Sequence, residues 1–140
     1  MIRPLAHRTI DYVVGVVLLL APLLFVFWDI ASATWVAILS GLALIIYSLF
    51  TSYTAGMNRA LGFNTHLTFD VILGIFLAIS PWLFGFAGAT WNVWVPHLLV
   101  GLALAVISFV TERVGAREPG MAGQLGGEAP PEDEFRRRRT

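Results

Sequence analysis

Two histidine–aspartate pairs stand at one spacing in the chain, His7 with Asp11 and His66 with Asp70. Residues four apart share a helix face, so each pair can present an imidazole and a carboxylate side by side. If the two pairs met, two nitrogen and two oxygen donors would face one another, a set suited to binding a metal or relaying a proton. A simpler account needs no ligand. Thr9 and Thr68 lie between the members of the pairs and can serve as N-caps. Each aspartate then falls in a first helical turn, where the helix dipole favours a carboxylate. The sequence leaves both accounts open. No cofactor is assigned, and His7, Asp11, His66 and Asp70 form the candidate polar cluster and the only speculative metal set.

Other chemistry is sparse. The chain has no cysteine, so disulfides and thiolate metal sites are excluded. There is no nucleophile elbow, no glycine-rich phosphate loop and no pair of carboxylates deep in an apolar run. No catalytic residue is assigned, and the expectation is a protein that is not an enzyme. His97 has no second histidine at helical spacing and reads as an interfacial residue bonded to a loop carbonyl. The formal net charge is zero, which provides no general attraction to nucleic acid.

The elements that must position these residues are long and apolar. Of 140 residues, 57% are hydrophobic and 13% charged, against about 25% charged in a soluble domain. Four apolar runs stand out, at 10–27, 35–50, 67–86 and 93–110. Crossing a hydrocarbon core takes roughly 20 residues, which the second run reaches with Thr34 and Thr51. Four transmembrane helices are expected. A small-residue "ASA" at 31–33 fits a signal cleavage site, yet the first run exceeds the ~7–15 residues of a signal core.

A repeat argues further against cleavage. The segment "HRTIDYVVGVVLLLAPLLFVF" (7–27) aligns with "HLTFDVILGIFLAISPWLFGF" (66–86) at an offset of 66 − 7 = 59. His, Thr, Asp, Gly, Pro and two Phe coincide. "GLAL" recurs at 41–44 and 101–104, and Ser48 and Thr51 match Ser108 and Thr111, at an offset of 60. Each copy contains two spans, so both enter the membrane from the same side as a parallel repeat about an axis along the membrane normal. Repeat 1 covers about 7–51 and repeat 2 about 66–111.

Pro22 and Pro81 match across the copies and each sits inside an apolar run. Proline has no N–H for the carbonyl four residues back, which frees the carbonyls of Leu18 and Leu77. In lipid such a carbonyl needs a new partner, and Ser80 can donate back to the preceding turn. The expected role is structural, shaping the hairpin at the outer end. Pro96 falls in or near the first turn of the fourth helix if Asn92 caps it. Ser80, Pro81 and Trp82, set within a tandem two-helix repeat, resemble the SPW-repeat family of prokaryotic membrane proteins. The resemblance spans about 7–111. In repeat 1 only Pro22 of the triplet remains, with Ala21 and Leu23 at the other places. It implies a small four-helix membrane module and brings no reaction, ligand or catalytic residue.

Small residues at Ala33, Ala37 and Gly41, at Gly74 and Ala78, and at Gly101 and Ala105 suit close helix contact. Arg3, Arg8, Arg59, Arg113 and Arg117 flank one set of helix ends, whereas the loops 29–34 and 87–92 carry no positive charge. The positive-inside rule puts both termini in the cytoplasm of a cytoplasmic (inner) membrane. All five tryptophans gather near the opposite ends, as an outer aromatic belt does. In the middle loop, Met57, Leu61 and Phe63 are expected to dip into lipid. Residues 112–140, rich in Gly, Pro and charge and ending in "RRRRT", read as a disordered cytoplasmic tail.

The expected fold is therefore an all-α membrane domain at 1–111, two tandem parallel-repeat helical hairpins, followed by that tail. Its partners are the lipid bilayer and either itself or another membrane protein, with no nucleic acid. A non-enzymatic scaffold, assembly or accessory subunit fits best. A small oligomeric transporter or channel, and a His/Asp metal- or proton-binding membrane protein, are the alternatives.

Overall fold

The computed structural model describes residues 2–52 and 61–111. Four helices run in sequence: α1 (Pro4–Leu24), α2 (Ala31–Leu49), α3 (Phe63–Leu83) and α4 (Trp91–Val110). They hold 19 to 21 residues each, which at 1.5 Å per residue gives about 28–32 Å, the thickness of a hydrocarbon core. Their outward faces carry exposed Leu, Ile, Val and Phe, including Ile72, Leu99 and Phe109. In water such faces would be unfavourable; in lipid they are solvated. The protein is an all-α, multi-pass integral membrane protein. The expected tail at 112–140, Met57, and the arginines at 59, 113 and 117 lie outside the described residues.

The two hairpins are α1–α2 and α3–α4, and each closes on a pair of glycines. A Cβ at Gly41 would lie 2.6 Å from the Gly15 carbonyl oxygen, and one at Gly101 would lie 2.5 Å from that of Gly74. These pairs occupy matching repeat positions. Backbone therefore meets backbone, the close approach that small residues allow in a bilayer, where no hydrophobic force drives helices together. The buried Leu18, Ala33, Ala37 and Leu77 fill the seam between the hairpins with Phe27 and Phe86.

Residues at the long-loop end repeat the symmetry. Short strands β1 (Thr51–Ser52) and β2 (Leu61–Gly62) pair in parallel, joining the exit of α2 to the entry of α3. Ile2 pairs with Thr111 in the same sense, joining the exit of α4 to the entry of α1. Two equivalent links related by a repeat offset are what a twofold axis along the membrane normal produces.

Pro22 and Pro81 lie in the last turns of α1 and α3, so they help end these helices rather than break them in mid-membrane. Ser80 Oγ donates to the Leu77 carbonyl at 2.7 Å, the acceptor that Pro81 leaves without its helical donor. The proline carbonyls are used too. Pro22 O accepts from Phe27 N and Pro81 O from Ala87 N, each at 2.9 Å. These bonds turn the chain so that Phe27 and Phe86 fold back into the core. Trp28, Trp35, Trp82 and Trp91 surround this end and are 58–70% exposed.

Several local expectations differ. The helices begin earlier than the apolar runs, at Pro4 and Phe63, with Arg3 and Gly62 in the N-cap positions. Thr9 and Thr68 are interior helix residues bonded to Leu5 O and Asn64 O, not caps. Thr90, not Asn92, precedes α4. Asn92 instead donates to the Phe25 carbonyl at 2.8 Å, tying the second hairpin to the first, and Pro96 falls in the second turn. Phe63 does not dip into lipid: it is buried, edge-on to His7 and stacked on His66.

Candidate functional site

The earlier helix starts move both His/Asp pairs inward. His7 and Asp11 occupy the first two full turns of α1, and His66 and Asp70 the matching turns of α3. All four side chains are 0% exposed. The account of the aspartates as capped, first-turn interfacial carboxylates does not hold, because neither helix has an acidic residue in its first turn.

The pairs converge. His7 Nε2 lies 2.9 Å from Asp70 Oδ2, and His66 Nε2 lies 3.0 Å from Asp11 Oδ2. Within each repeat the same contacts are 3.2 Å. Each imidazole thus approaches the other hairpin's carboxylate more closely than its own, and one ligand-type atom from each residue falls within 4.8 Å of all the others. Equivalent residues of the two repeats meet in this group, so a single His/Asp pair, duplicated, yields a four-residue centre.

A second layer holds the rings. Thr51 Oγ1 donates to Tyr47 O and Thr111 Oγ1 to Ile107 O, both at 2.7 Å. The same hydroxyls meet His66 Nδ1 at 3.0 Å and His7 Nδ1 at 2.9 Å. Tyr47 Oη donates to Asp70 Oδ1, and Ser108 Oγ lies 3.3 Å from Asp70 Oδ2. The symmetry breaks here: Ile107 stands at the repeat position of Tyr47, so the Tyr47 phenol has no counterpart in repeat 2.

Sequence reasoning singled out the four central residues and missed Thr51, Thr111 and Tyr47 as their partners. The threonines carried a usable signal, since they match at the repeat offset. Tyr47 carried none, having no counterpart.

His97 is not interfacial. It is buried between Phe27 and Phe86, with ring centroids 5.4 and 4.9 Å away. Its nitrogens face the helical carbonyls of Val93 at 2.7 Å and Ala33 at 3.1 Å, so it links α4 to α2 rather than to a loop. An apolar groove of about 460 Å³ runs between α2 and α3, lined in part by Trp35, Leu39, Leu73 and Phe76. None of the four His/Asp residues borders it.

The family model described as an SPW repeat domain matches residues 5–111, well over half the chain. No curated protein and no solved structure matches it.

Proposed function

The chain belongs to the SPW repeat domain family, and we propose that it is a non-enzymatic scaffold, assembly or accessory subunit of the cytoplasmic membrane. In this reading the His7–Asp11–His66–Asp70 centre clasps the two hairpins into one body. The observation that carries it is enclosure: all four side chains are fully buried and their polar atoms are directed at one another and at Thr51, Thr111 and Tyr47. A catalytic centre must admit a substrate, whereas a clasp must exclude solvent. An ionisable group inside a membrane protein points to function by default, and here its function is to join repeats that otherwise share mostly apolar contacts.

A transport pathway finds less support. Such a pathway needs polar groups facing inward near the midplane. Within a turn of mid-span the described helices place Ser40 in α2, Asp11 in α1, Asp70 in α3 and His97 in α4, and the last three are buried against protein partners. The apolar outer faces suit lipid, a second copy or another membrane protein. The arginines at the long-loop end and the tryptophans at the other favour cytoplasmic termini.

Native mass spectrometry on protein gently extracted from its own membranes tests the proposal. A reproducible complex with a different membrane protein is expected. A protein without such a partner that carries ions across liposome membranes in an Asp70-dependent way would overturn the scaffold reading.

A further inference from the structure

We infer that His7, Asp11, His66 and Asp70 bind one divalent transition-metal ion of the zinc class, through two imidazole Nε2 atoms and two carboxylate oxygens. The inference builds on the clasp proposed above and names what fastens it.

The threonines supply the first argument. A hydroxyl has one proton, and Thr51 and Thr111 direct theirs to the carbonyls four residues back, at 2.7 Å. Their oxygens therefore accept from His66 Nδ1 and His7 Nδ1, at 3.0 and 2.9 Å. With Nδ1 carrying the proton, the lone pair of a neutral ring is on Nε2. Both Nε2 atoms face the two carboxylates. Two lone pairs and two anionic groups aimed at one enclosed point repel each other unless a cation lies between them. A hydrogen bond from the far ring nitrogen to an oxygen partner is also how proteins orient metal-bound histidine.

Charge and geometry agree. Two carboxylates carry a formal charge of −2, which a divalent ion cancels, and an enclosed site in a bilayer strongly disfavours net charge. Zinc binds nitrogen and oxygen at about 2.0–2.2 Å, so neighbouring corners of its tetrahedron are about 3.4 Å apart. The N···O contacts here are 2.9–3.2 Å and use Asp70 Oδ2 and both oxygens of Asp11. One donor atom from each of the four residues lies within 4.8 Å of every other, so rotations of these side chains bring two nitrogens and two oxygens around one ion. Imidazole donors disfavour magnesium and calcium. Four protein ligands with no exposed side chain leave no open coordination position, the mark of a structural rather than catalytic site. Because the ligands come from both hairpins, metal binding and hairpin association are one equilibrium.

The rival arrangement places a second proton on each ring, giving two imidazoliums and two carboxylates, also neutral overall. Elemental analysis of the full-length protein, purified without chelators from zinc-supplemented cells, separates the two. One equivalent of transition metal is expected, lost in the Asp11→Asn/Asp70→Asn double variant. After chelation, added Zn²⁺ should raise Tm for the wild type, and Co²⁺ should give the visible absorption of a tetrahedral N/O site. Thr51→Val/Thr111→Val keeps all four ligands and should weaken affinity about 10- to 100-fold, which covers the case in which the aspartate variants do not fold. A wild type that holds no metal and shows no response to Zn²⁺ or Co²⁺ overturns the inference. The clasp is judged separately, by the stability of the aspartate variants in metal-free detergent.

Discussion

His7 Nε2 is closer to Asp70 Oδ2, 63 residues away, than to Asp11 Oδ1 one turn along its own helix: 2.9 Å against 3.2 Å. The local i, i+4 pair is therefore also half of a cross-hairpin contact. Removing one partner from a buried ionic set costs about 3–5 kcal/mol, because the others are left uncompensated. Asp70→Ala should lower stability by that order, measured by unfolding in mixed detergent. A double-mutant cycle should give coupling for His7 with Asp70 at least as large as for His7 with Asp11. Coupling confined to the local pair would mean that the centre does not clasp the hairpins.

The glycine seams give a graded prediction. At Gly101 an added Cβ would be 2.5 Å from the Ala78 backbone nitrogen and the Gly74 carbonyl oxygen. Neither can move without parting α3 from α4, so Gly101→Ala should cost at the upper end of the ~1–3 kcal/mol of overpacking. At Gly15 the nearest atom, 2.5 Å away, is Cγ1 of the Ile45 side chain, and the nearest backbone atom, the Gly41 carbonyl oxygen, is 3.2 Å away. Gly15→Ala should therefore cost less than Gly101→Ala while still straining the stiff Ile45 rotamer. Gly62→Ala meets nothing within 4 Å and serves as the neutral control. Equal losses at all three sites in thermal unfolding would contradict the backbone-contact account.

Much of this was legible in the residues, and the gaps have physical causes. Apolar run lengths revealed four spans, and the matched His, Asp, Gly and Pro revealed the repeat. The family resemblance carried by Ser80, Pro81 and Trp82 agrees with the match over 5–111. Convergence of His7, Asp11, His66 and Asp70 was only an option, because hydropathy marks where apolar residues begin and not where a helix begins. Pro4 starts α1 two turns before Asp11, and His7 and Asp11 in those turns are buried instead of meeting water. Phe63 looked lipid-facing for the same reason. His97 could not be read because its partners are backbone carbonyls, which no side-chain pattern records.

Ser80 and Pro81 act as a unit. The hydroxyl supplies the Leu77 carbonyl with the donor that the proline withholds. Ser80→Ala should cost about 1–3 kcal/mol, the range for a buried acceptor left unsatisfied. The loss should shrink in a Pro81→Ala background, where the backbone N–H returns. Repeat 1 has Ala21 at the serine position, and a cavity of about 10 Å³ borders Ala21 and Leu18. Ala21→Ser should therefore add about 0.5–1.5 kcal/mol through a bond to Leu18 O. If Ser80→Ala costs as much in the Pro81→Ala background as in the wild type, the hydroxyl is not replacing the missing donor.

Val26 and Gly85 occupy the same repeat position with different backbone cost. Both are left-handed, at φ 54° and φ 74°, because each lies in the turn that returns a phenylalanine to the core. A left-handed conformation costs a residue with a Cβ about 1–2 kcal/mol, while glycine loses about 0.5–1 kcal/mol in unfolded-state freedom. Val26 is 61% exposed, so little packing is lost with its side chain. Val26→Gly should stabilise the protein by up to about 1 kcal/mol. Gly85→Val should destabilise it by about 1–2 kcal/mol, although a Cβ there would meet nothing within 4 Å. Because space is not limiting at Gly85, any loss measured by thermal unfolding of that variant reports backbone conformation directly. A Gly85→Val protein as stable as the wild type would show that this turn relaxes out of the left-handed region at no cost.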